Sequence, residues 1–129
     1  MKQELNVAEL KKAMAPLSLL QERLLWTLSR SIDSEIVETQ LFRSKIADLE
    51  SSLHREGDLT HLADVFNDLL GKTFKYRMGS STIETCWFVS VGYDENDEEI
   101  EFSFGKVRPC IEALSKFELK EVERWKTRF

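Results

Sequence analysis

Apolar residues in the first third of the chain recur every three or four positions, which is the period of an α-helix. Asn6 and Glu9 have the spacing of a capping box before a first helix, which Pro16 ends. Ser18 and Gln21 have the same spacing before a second helix. The apolar stripe of that second helix comprises Leu20, Leu24, Leu25, Leu28 and Ile32. The charged residues predicted to lie outside the stripe are Glu22, Arg23 and Arg30.

Residues 34–50 allow two interpretations. One is a short strand over residues 36–41 followed by a short helix over 43–49, with Ile46, Ala47 and Leu49 facing inward. The other is a single helix through the whole stretch. The strand would place a β-element between two groups of helices.

A strongly amphipathic helix is predicted over residues 59–70, after a Gly57-Asp58 turn in which Asp58 is the cap. Gly71 provides its C-terminal stop. The residues expected to face inward are Leu59, Leu62, Ala63, Phe66, Leu69 and Leu70. Those expected to face outward are Thr60, His61, Asp64, Asn67 and Asp68.

From residue 73 the apolar period changes to two, which predicts three antiparallel strands over residues 73–78, 83–91 and 99–104. Phe74, Tyr76 and Met78 share one face of the first strand. The second strand has one face with Ile83, Thr85, Trp87, Val89 and Val91, and another with Glu84, Cys86, Phe88 and Ser90. Gly105 ends the sheet. Two short helices follow, one beginning at Pro109 and carrying Ile111 and Leu114, and one beginning near Phe117.

This order of elements predicts an α+β fold of the winged-helix class, which is a variant of the helix-turn-helix. We expect a three-stranded antiparallel sheet with additional helices at both ends. With 129 residues the chain has the length of one domain, so residues 1–129 are expected to form a single winged-helix domain.

The charge balance limits the function classes. The chain is 42% hydrophobic and 32% charged, with a net charge of −5, which excludes a uniformly basic coat but allows a local basic patch. Neither a membrane-spanning apolar run nor a signal peptide is visible, so a cytoplasmic location is expected. Cys86 and Cys110 form no metal-binding pattern and fit a reducing compartment, although a disulfide between them is an alternative.

Catalytic motifs are not visible in the sequence, so we expect no enzyme activity, no cofactor and no metal site. His54 and His61 flank the predicted cap at Asp58, and two solvated histidines are the simpler interpretation. The acidic run over residues 94–98 resembles the start of a calcium loop, but Glu99 stands where the loop needs glycine. A solvated hairpin tip is the simpler interpretation of that run.

Basic residues cluster around the first predicted strand, where no acid occurs between Leu69 and Ile83. The candidates for contact with a DNA backbone are Arg43, Lys45, Lys72, Lys75 and Arg77. A C-terminal run adds Lys116, Lys120, Arg124, Lys126 and Arg128. The alternative for all of them is ordinary solvated cations.

Two features argue against base reading by this domain. The helix over residues 59–70 presents Asp64 and Asp68, which repel phosphate, and the predicted wing has six acids between Asp94 and Glu101. An acidic wing beside aromatic strands suits a protein partner better, and the face of the hairpin with Cys86 and Phe88 is expected to remain available for one.

Three stretches together resemble the N-terminal winged-helix domain of iteron-binding plasmid replication initiators of the RepA/RepE type. They read LSLLQERLLWTLSRSID, LADVFNDLLGKTFKYR and CWFVSVGYDENDEEIEFSF, followed by a segment similar to the family's lead into a second winged helix, FELKEVERWKTRF. The resemblance implies a domain that dimerises and makes auxiliary backbone contacts to double-stranded DNA, while a second domain reads iteron bases. It also implies host replication proteins as further partners.

By this resemblance the strand-and-hairpin region forms the dimer contact, for which the candidates are Cys86, Phe88, Phe102 and Phe104. Lys72, Lys75 and Arg77 are the phosphate-contact candidates. Since the last residues stop within an amphipathic helical pattern, we expect the chain to continue into a second domain. Two alternatives remain open: a free-standing winged-helix regulator that binds an operator, and a protein-interaction module without DNA binding.

Overall fold

The computed structural model describes residues 5–31, 41–52, 59–94, 96 and 98–125. Its elements follow one another as α1 (Val7–Met14), α2 (Leu19–Ser31), β1 (Phe42–Lys45), α3 (Ile46–Ser52), α4 (Leu59–Leu69), β2 (Thr73–Met78), β3 (Ser81–Cys86), β4 (Phe88–Asp94), β5 (Glu99–Phe104), α5 (Arg108–Leu114) and α6 (Leu119–Arg124). The turn at Gly57-Asp58 and the residues 36–40 of the predicted strand lie outside the described residues.

The strands form two antiparallel sheets. A three-stranded sheet has the order β1-β5-β4, and a two-stranded sheet consists of β2 and β3. In the larger sheet the strand that precedes α3 and α4 pairs with the last strand of the chain, as expected of a winged helix. The β2–β3 hairpin lies between α4 and β4 in the chain, and we call it the inserted hairpin. The β4–β5 hairpin, with its tip at residues 95–98, takes the place of the wing.

The predicted second strand over residues 83–91 is wrong as one strand, because it breaks at Trp87. Cys86 ends β3 and Phe88 begins β4, so the first half pairs with β2 and the second half with β5. Trp87 and Phe88 are both buried, and the Trp87 ring stacks on Phe74 with 4.6 Å between ring centroids. Strict alternation cannot bury two successive side chains, so the strand must turn between them.

A strand occupies the start of the predicted short helix. β1 covers Phe42–Lys45, and α3 begins at Ile46 rather than at residue 43. Ile46 and Leu49 are buried as predicted, but Ala47 is exposed. Pairing with β5 explains the strand, since Phe42 faces Phe102 across the ladder and its ring packs against the core.

The predicted cap of α2 is confirmed in full, and that of α1 is confirmed in part. Ser18 and Gln21 form the predicted reciprocal capping box. The Gln21 amide donates to the Ser18 hydroxyl with 3.1 Å between nitrogen and oxygen, and the Ser18 amide donates to the Gln21 side-chain oxygen at 2.9 Å. Asn6 caps α1 by accepting from the amide of Ala8 at 2.8 Å. Glu9 does not complete the first box, because its carboxylate accepts instead from the backbone N–H of Arg77 on β2 at 2.8 Å.

The second helix is more buried than its single apolar stripe predicts. Leu24, Leu25 and Leu28 are buried, but Glu22 is also fully buried although it lies outside the stripe. Helix α2 contacts α3, α4, α5 and α6, so the surrounding helices cover more than one of its faces. Arg23, another of the three flanking charges, reaches across to Glu123 on α6.

The end of α4 corrects two burial predictions. Leu70 is exposed, whereas Val65, which was not among the predicted inward residues, is buried. The helix ends at Leu69, and Gly71 follows with a φ of +71°, a left-handed conformation that favours glycine. Since Leu70 is past the last helical residue, the helical period no longer determines where its side chain points.

Gly105 lies where the two sheets meet, and its position requires the absence of a side chain. A Cβ at Gly105 would lie 2.3 Å from the backbone oxygen of Cys86 and 2.8 Å from the Thr85 hydroxyl. The backbone amide of Lys106 donates to the Thr85 hydroxyl at 2.8 Å, and the Tyr76 hydroxyl donates to the carbonyl of Lys106 at 2.6 Å. This junction holds the inserted hairpin against the end of β5.

We predict that Gly105→Ala destabilises the domain by about 2 kcal/mol or more, because backbone must move to admit the methyl group. Urea unfolding followed by circular dichroism measures this change. The matched control is Gly92→Ala, where a Cβ would meet nothing within 4 Å. Equal stability of the two variants would contradict the assigned role of Gly105.

Candidate nucleic-acid interface

The exposed face of the inserted hairpin carries two of the predicted cations, and a third lies just before its first strand. Lys75 and Arg77 point outward from β2 while Phe74, Tyr76 and Met78 on the opposite face pack inward. Both cations are exposed, as is Lys72 just before the strand. The predicted shared face of Lys75 and Arg77 is therefore confirmed, and it follows from the two-residue period of a strand.

Two acids, Glu84 and Glu9, lie near this face. Glu84, directly opposite Lys75 on β3, lies 3.8 Å from its ammonium group, and both side chains are well exposed. A pair of this kind is weak in water and leaves the lysine able to meet another anion. The Glu9 carboxylate accepts a hydrogen bond from the backbone amide of Arg77 and also lies 3.7 Å from the ammonium group of Lys12. The face of the hairpin therefore remains basic.

The turn of the inserted hairpin adds small polar groups to the same end of the molecule. Met78 faces Ser81, which leaves Gly79 and Ser80 as a two-residue loop. Gly79 has a φ of +60°, as the first position of a type II′ turn requires. Ser80, Ser81 and the neighbouring Thr82 are exposed. Hydroxyl and backbone N–H groups beside cations suit the oxygen atoms of a phosphate.

Arg43 and Lys45 do not join this face. They lie on β1 rather than on the predicted short helix, because strand pairing with β5 starts at Phe42. Arg43 contacts the Glu101 carboxylate through its Nη2 at 3.1 Å and its Nε at 3.2 Å. Lys45 lies opposite Glu99 in the ladder. The acids of β5 therefore offset both charges.

Neither the wing nor α4 is suited to entering a DNA groove. The tip of the wing carries exposed Asp94 and Glu98, and Glu98 has a φ of +51°. Asp64 and Asp68 are exposed on α4, as predicted from its amphipathic pattern. Carboxylates on both elements repel a phosphate backbone. The wing tip and the exposed side of α4 therefore present carboxylates.

A second group of cations surrounds a cleft of about 770 Å³ between α2 and α6. Arg30 lies over the ring of Trp26 and donates to the carbonyl of Ser115 at 2.9 Å. Lys120 lies 3.4 Å from Glu118, and Arg23 pairs with Glu123 at 3.3 Å. Of these contacts, the Arg23–Glu123 pair joins α2 to α6. The C-terminal Lys126 and Arg128 lie outside the described residues.

Three of the four predicted dimer contacts are wrong as surface contacts. Phe88, Phe102 and Phe104 are buried within the subunit and form one aromatic cluster with Phe66, with neighbouring ring centroids 5.1 to 5.6 Å apart. The break at Trp87 turns Phe88 from the outer face into the core, and Phe102 and Phe104 lie on the central strand β5. Cys86 is half-buried at the end of β3.

The surface signal that the sequence analysis missed lies on β4. Tyr93 is 50% exposed and Val89 is 48% exposed, and both belong to an outer strand of the sheet. The alternation pattern assigned Val89 to the same face as Trp87, which is buried. Only the position of the break shows that these apolar side chains reach the surface.

The remaining chemistry of the described residues is limited. Among them, no group of three His, Cys, Asp or Glu side chains could hold a metal ion. None of the described helices has the length and apolar character needed to cross a bilayer. Burial raises the pKa of the Cys110 thiol to about 12.

We predict that Cys110 reacts far more slowly than Cys86 with a thiol reagent at pH 8. At a pKa of about 12 only about one thiol in ten thousand is ionised at that pH, and the thiolate is the reactive form. The two rates can be followed by mass spectrometry, with Cys86→Ser to isolate Cys110. In denaturant, both should react at similar rates. Fast labelling of Cys110 in the folded protein would show that it is not buried.

Comparison with known proteins identifies the type of domain. A family model described as the WH1 domain of an initiator replication protein matches residues 2–128. The fold is similar to that in the crystal structure of the MSBI1.176 WH1 domain, a replication protein isolated from a multiple sclerosis patient. The TM-score is 0.69 at 20% identity, covering 87% of this chain and 93% of that chain. No curated protein matches the chain in sequence. The likeness confirms the predicted winged-helix fold.

Proposed function

Because the chain belongs to the WH1 family of initiator replication proteins, we propose that it acts as the N-terminal domain of a plasmid replication initiator. In this function the domain forms a homodimer and contacts the backbone of double-stranded DNA in the cytoplasm. A second domain reads the bases of iterons or of an operator, and host replication proteins join the complex at the origin.

The observation that supports the DNA contact is the segregation of charge between the two hairpins. Lys75 and Arg77 lie on the exposed face of β2, and Lys72 is exposed just before the strand, with Glu84 as the acid opposite Lys75. The wing and α4 carry exposed carboxylates instead. A protein with a net charge of −5 can approach DNA only with such a face turned toward it. The contact is therefore assigned to the inserted hairpin and not to the wing.

The chemistry of this face favours contact without base reading. Lysine, arginine and hydroxyl groups bind phosphate oxygens, which are the same at every base pair. The helix that would enter the major groove presents Asp64 and Asp68 instead. Binding by residues 1–129 should be weak, steeply dependent on salt and nearly indifferent to sequence.

The test is a charge reversal of the inserted hairpin, Lys72→Glu/Lys75→Glu/Arg77→Glu. We expect it to lower the affinity for a short duplex of arbitrary sequence by at least about tenfold at low salt, and to flatten the salt slope by about 2.7 units if all three cations contact phosphates. Fluorescence anisotropy over a salt series measures both quantities.

The matched control is Arg43→Glu/Lys45→Glu, which reverses two exposed cations on β1 that lie away from the inserted hairpin, Arg43 in contact with Glu101 and Lys45 opposite Glu99. It should change the affinity much less than the hairpin variant does. Equal losses from both variants would contradict the assignment to the inserted hairpin. Sub-micromolar binding to one sequence only, by residues 1–129, would instead favour a free-standing regulator.

A further inference from the structure

Helix α1 lies against the outer edge of the inserted hairpin. Among the described residues only β3 pairs with β2, and the other edge of β2 meets α1. There the Glu9 carboxylate accepts a hydrogen bond from the backbone N–H of Arg77 at 2.8 Å. A two-stranded hairpin is marginally stable by itself, so this contact helps to keep β2 in place.

Lys12 lies beside the same carboxylate, on the part of α1 that solvent reaches. Its ammonium group is 3.7 Å from Glu9, and its side chain is 76% exposed. The two contacts use different oxygens of Glu9, so one carboxylate connects Lys12 with the edge of β2 at Arg77. An exposed ion pair of this kind is weak in water, which leaves the lysine able to meet a phosphate oxygen.

The exposed side of this junction is the side on which the hairpin presents its cations. Leu10, Ala13 and Met14 of α1 are buried on the inner side, as is Tyr76 of β2. The outward residues of β2 and Lys12 are exposed, so they share the solvent-facing side of the α1–β2 junction. Duplex DNA carries one negative charge per about 1.7 Å of its axis, so a surface lengthened in this way meets more phosphates.

The neighbouring lysine on α1 has different surroundings. The ammonium group of Lys11 lies 5.6 Å from the centroid of the Trp125 ring, just after α6, and the residue is half-buried. Successive positions of a helix are about 100° apart, so Lys11 and Lys12 face different partners. Two adjacent lysines of equal charge are thus available for comparison, of which Lys12 is the one beside the hairpin.

We propose that α1 is part of the phosphate-binding surface, with Lys12 as an additional phosphate contact and Glu9 as the residue that positions Arg77. This inference rests on the proposed contact between the inserted hairpin and DNA. Glu9 holds the backbone of β2 at Arg77, which fixes the point from which that guanidinium leaves the strand. The Arg77 amide and the Lys12 ammonium group offset the charge of Glu9, so it opposes an approaching phosphate less than an isolated carboxylate would.

The salt dependence of DNA binding tests Lys12. Each phosphate contact contributes about 0.9 to the slope of log K against log salt, so Lys12→Gln should flatten that slope by about 0.9. The matched control is Lys11→Gln, which removes the same charge from the adjacent position and should leave the slope unchanged. Fluorescence anisotropy with residues 1–129 and a short duplex of arbitrary sequence measures both slopes. Equal slopes for the two variants would overturn the Lys12 contact.

A charge-matched pair of variants tests Glu9. Glu9→Gln and Glu9→Ala both remove the carboxylate charge, but only glutamine keeps an oxygen that can accept from the Arg77 amide. We expect Glu9→Ala to bind the same duplex at least about threefold more weakly than Glu9→Gln. In an Arg77→Gln background that difference should disappear, because no guanidinium remains to be positioned. Equal affinities of the two variants, or a difference that persists in that background, would overturn the positioning role.

The outcomes separate this inference from the proposed function. If the charge-reversed hairpin loses affinity while Lys11→Gln and Lys12→Gln have equal slopes, the role of α1 is overturned and the hairpin contact stands. If the charge-reversed hairpin binds as well as the unchanged chain, the proposed DNA contact and this inference fall together. Flattening by Lys12→Gln alone, with a Glu9 effect that depends on Arg77, supports a binding surface that includes α1.

Discussion

The packing of β5 is the constraint on which the rest of the domain depends. This strand is central in the larger sheet, and the ring of Phe102 contacts those of Phe42, Phe66, Phe88 and Phe104 at centroid distances of 5.3 to 5.8 Å. One side chain thus joins β1, α4 and β4 to a single core. Aromatic pairs of this kind contribute more than their buried area alone. With β1 and β4 held on either side, the outer side of β4 is the sheet edge at which the structure leaves Tyr93 half exposed.

The two hairpins divide the surface between them. The inserted hairpin carries cations and hydroxyl groups, while the wing carries carboxylates and an uncharged strand edge beside them. This separation explains how a domain with a net charge of −5 can belong to a family of replication initiators. The charge that matters for an encounter with DNA is local, because charges beyond a screening length contribute little.

The winged-helix arrangement therefore does not by itself indicate how the domain is used. In a base-reading winged helix, the helix before the sheet would face the major groove, but here Asp64 and Asp68 occupy its exposed side. A fold supports many functions, and the side chains on its surface determine which one is available. For this domain the carboxylates on the exposed side of α4 oppose insertion of that helix into a DNA groove.

Features that depend on neighbours in the sequence were determined by the sequence itself. The Ser18 and Gln21 capping box, the shared face of Lys75 and Arg77, and the stop at Gly71 each follow from local geometry, so their spacing was sufficient. Tertiary structure decided the break at Trp87, since either a continuous or a broken strand satisfies the same run of apolar residues. It also decided that Phe88 enters the core, because burial depends on which strands pair, and pairing joins segments far apart in the chain.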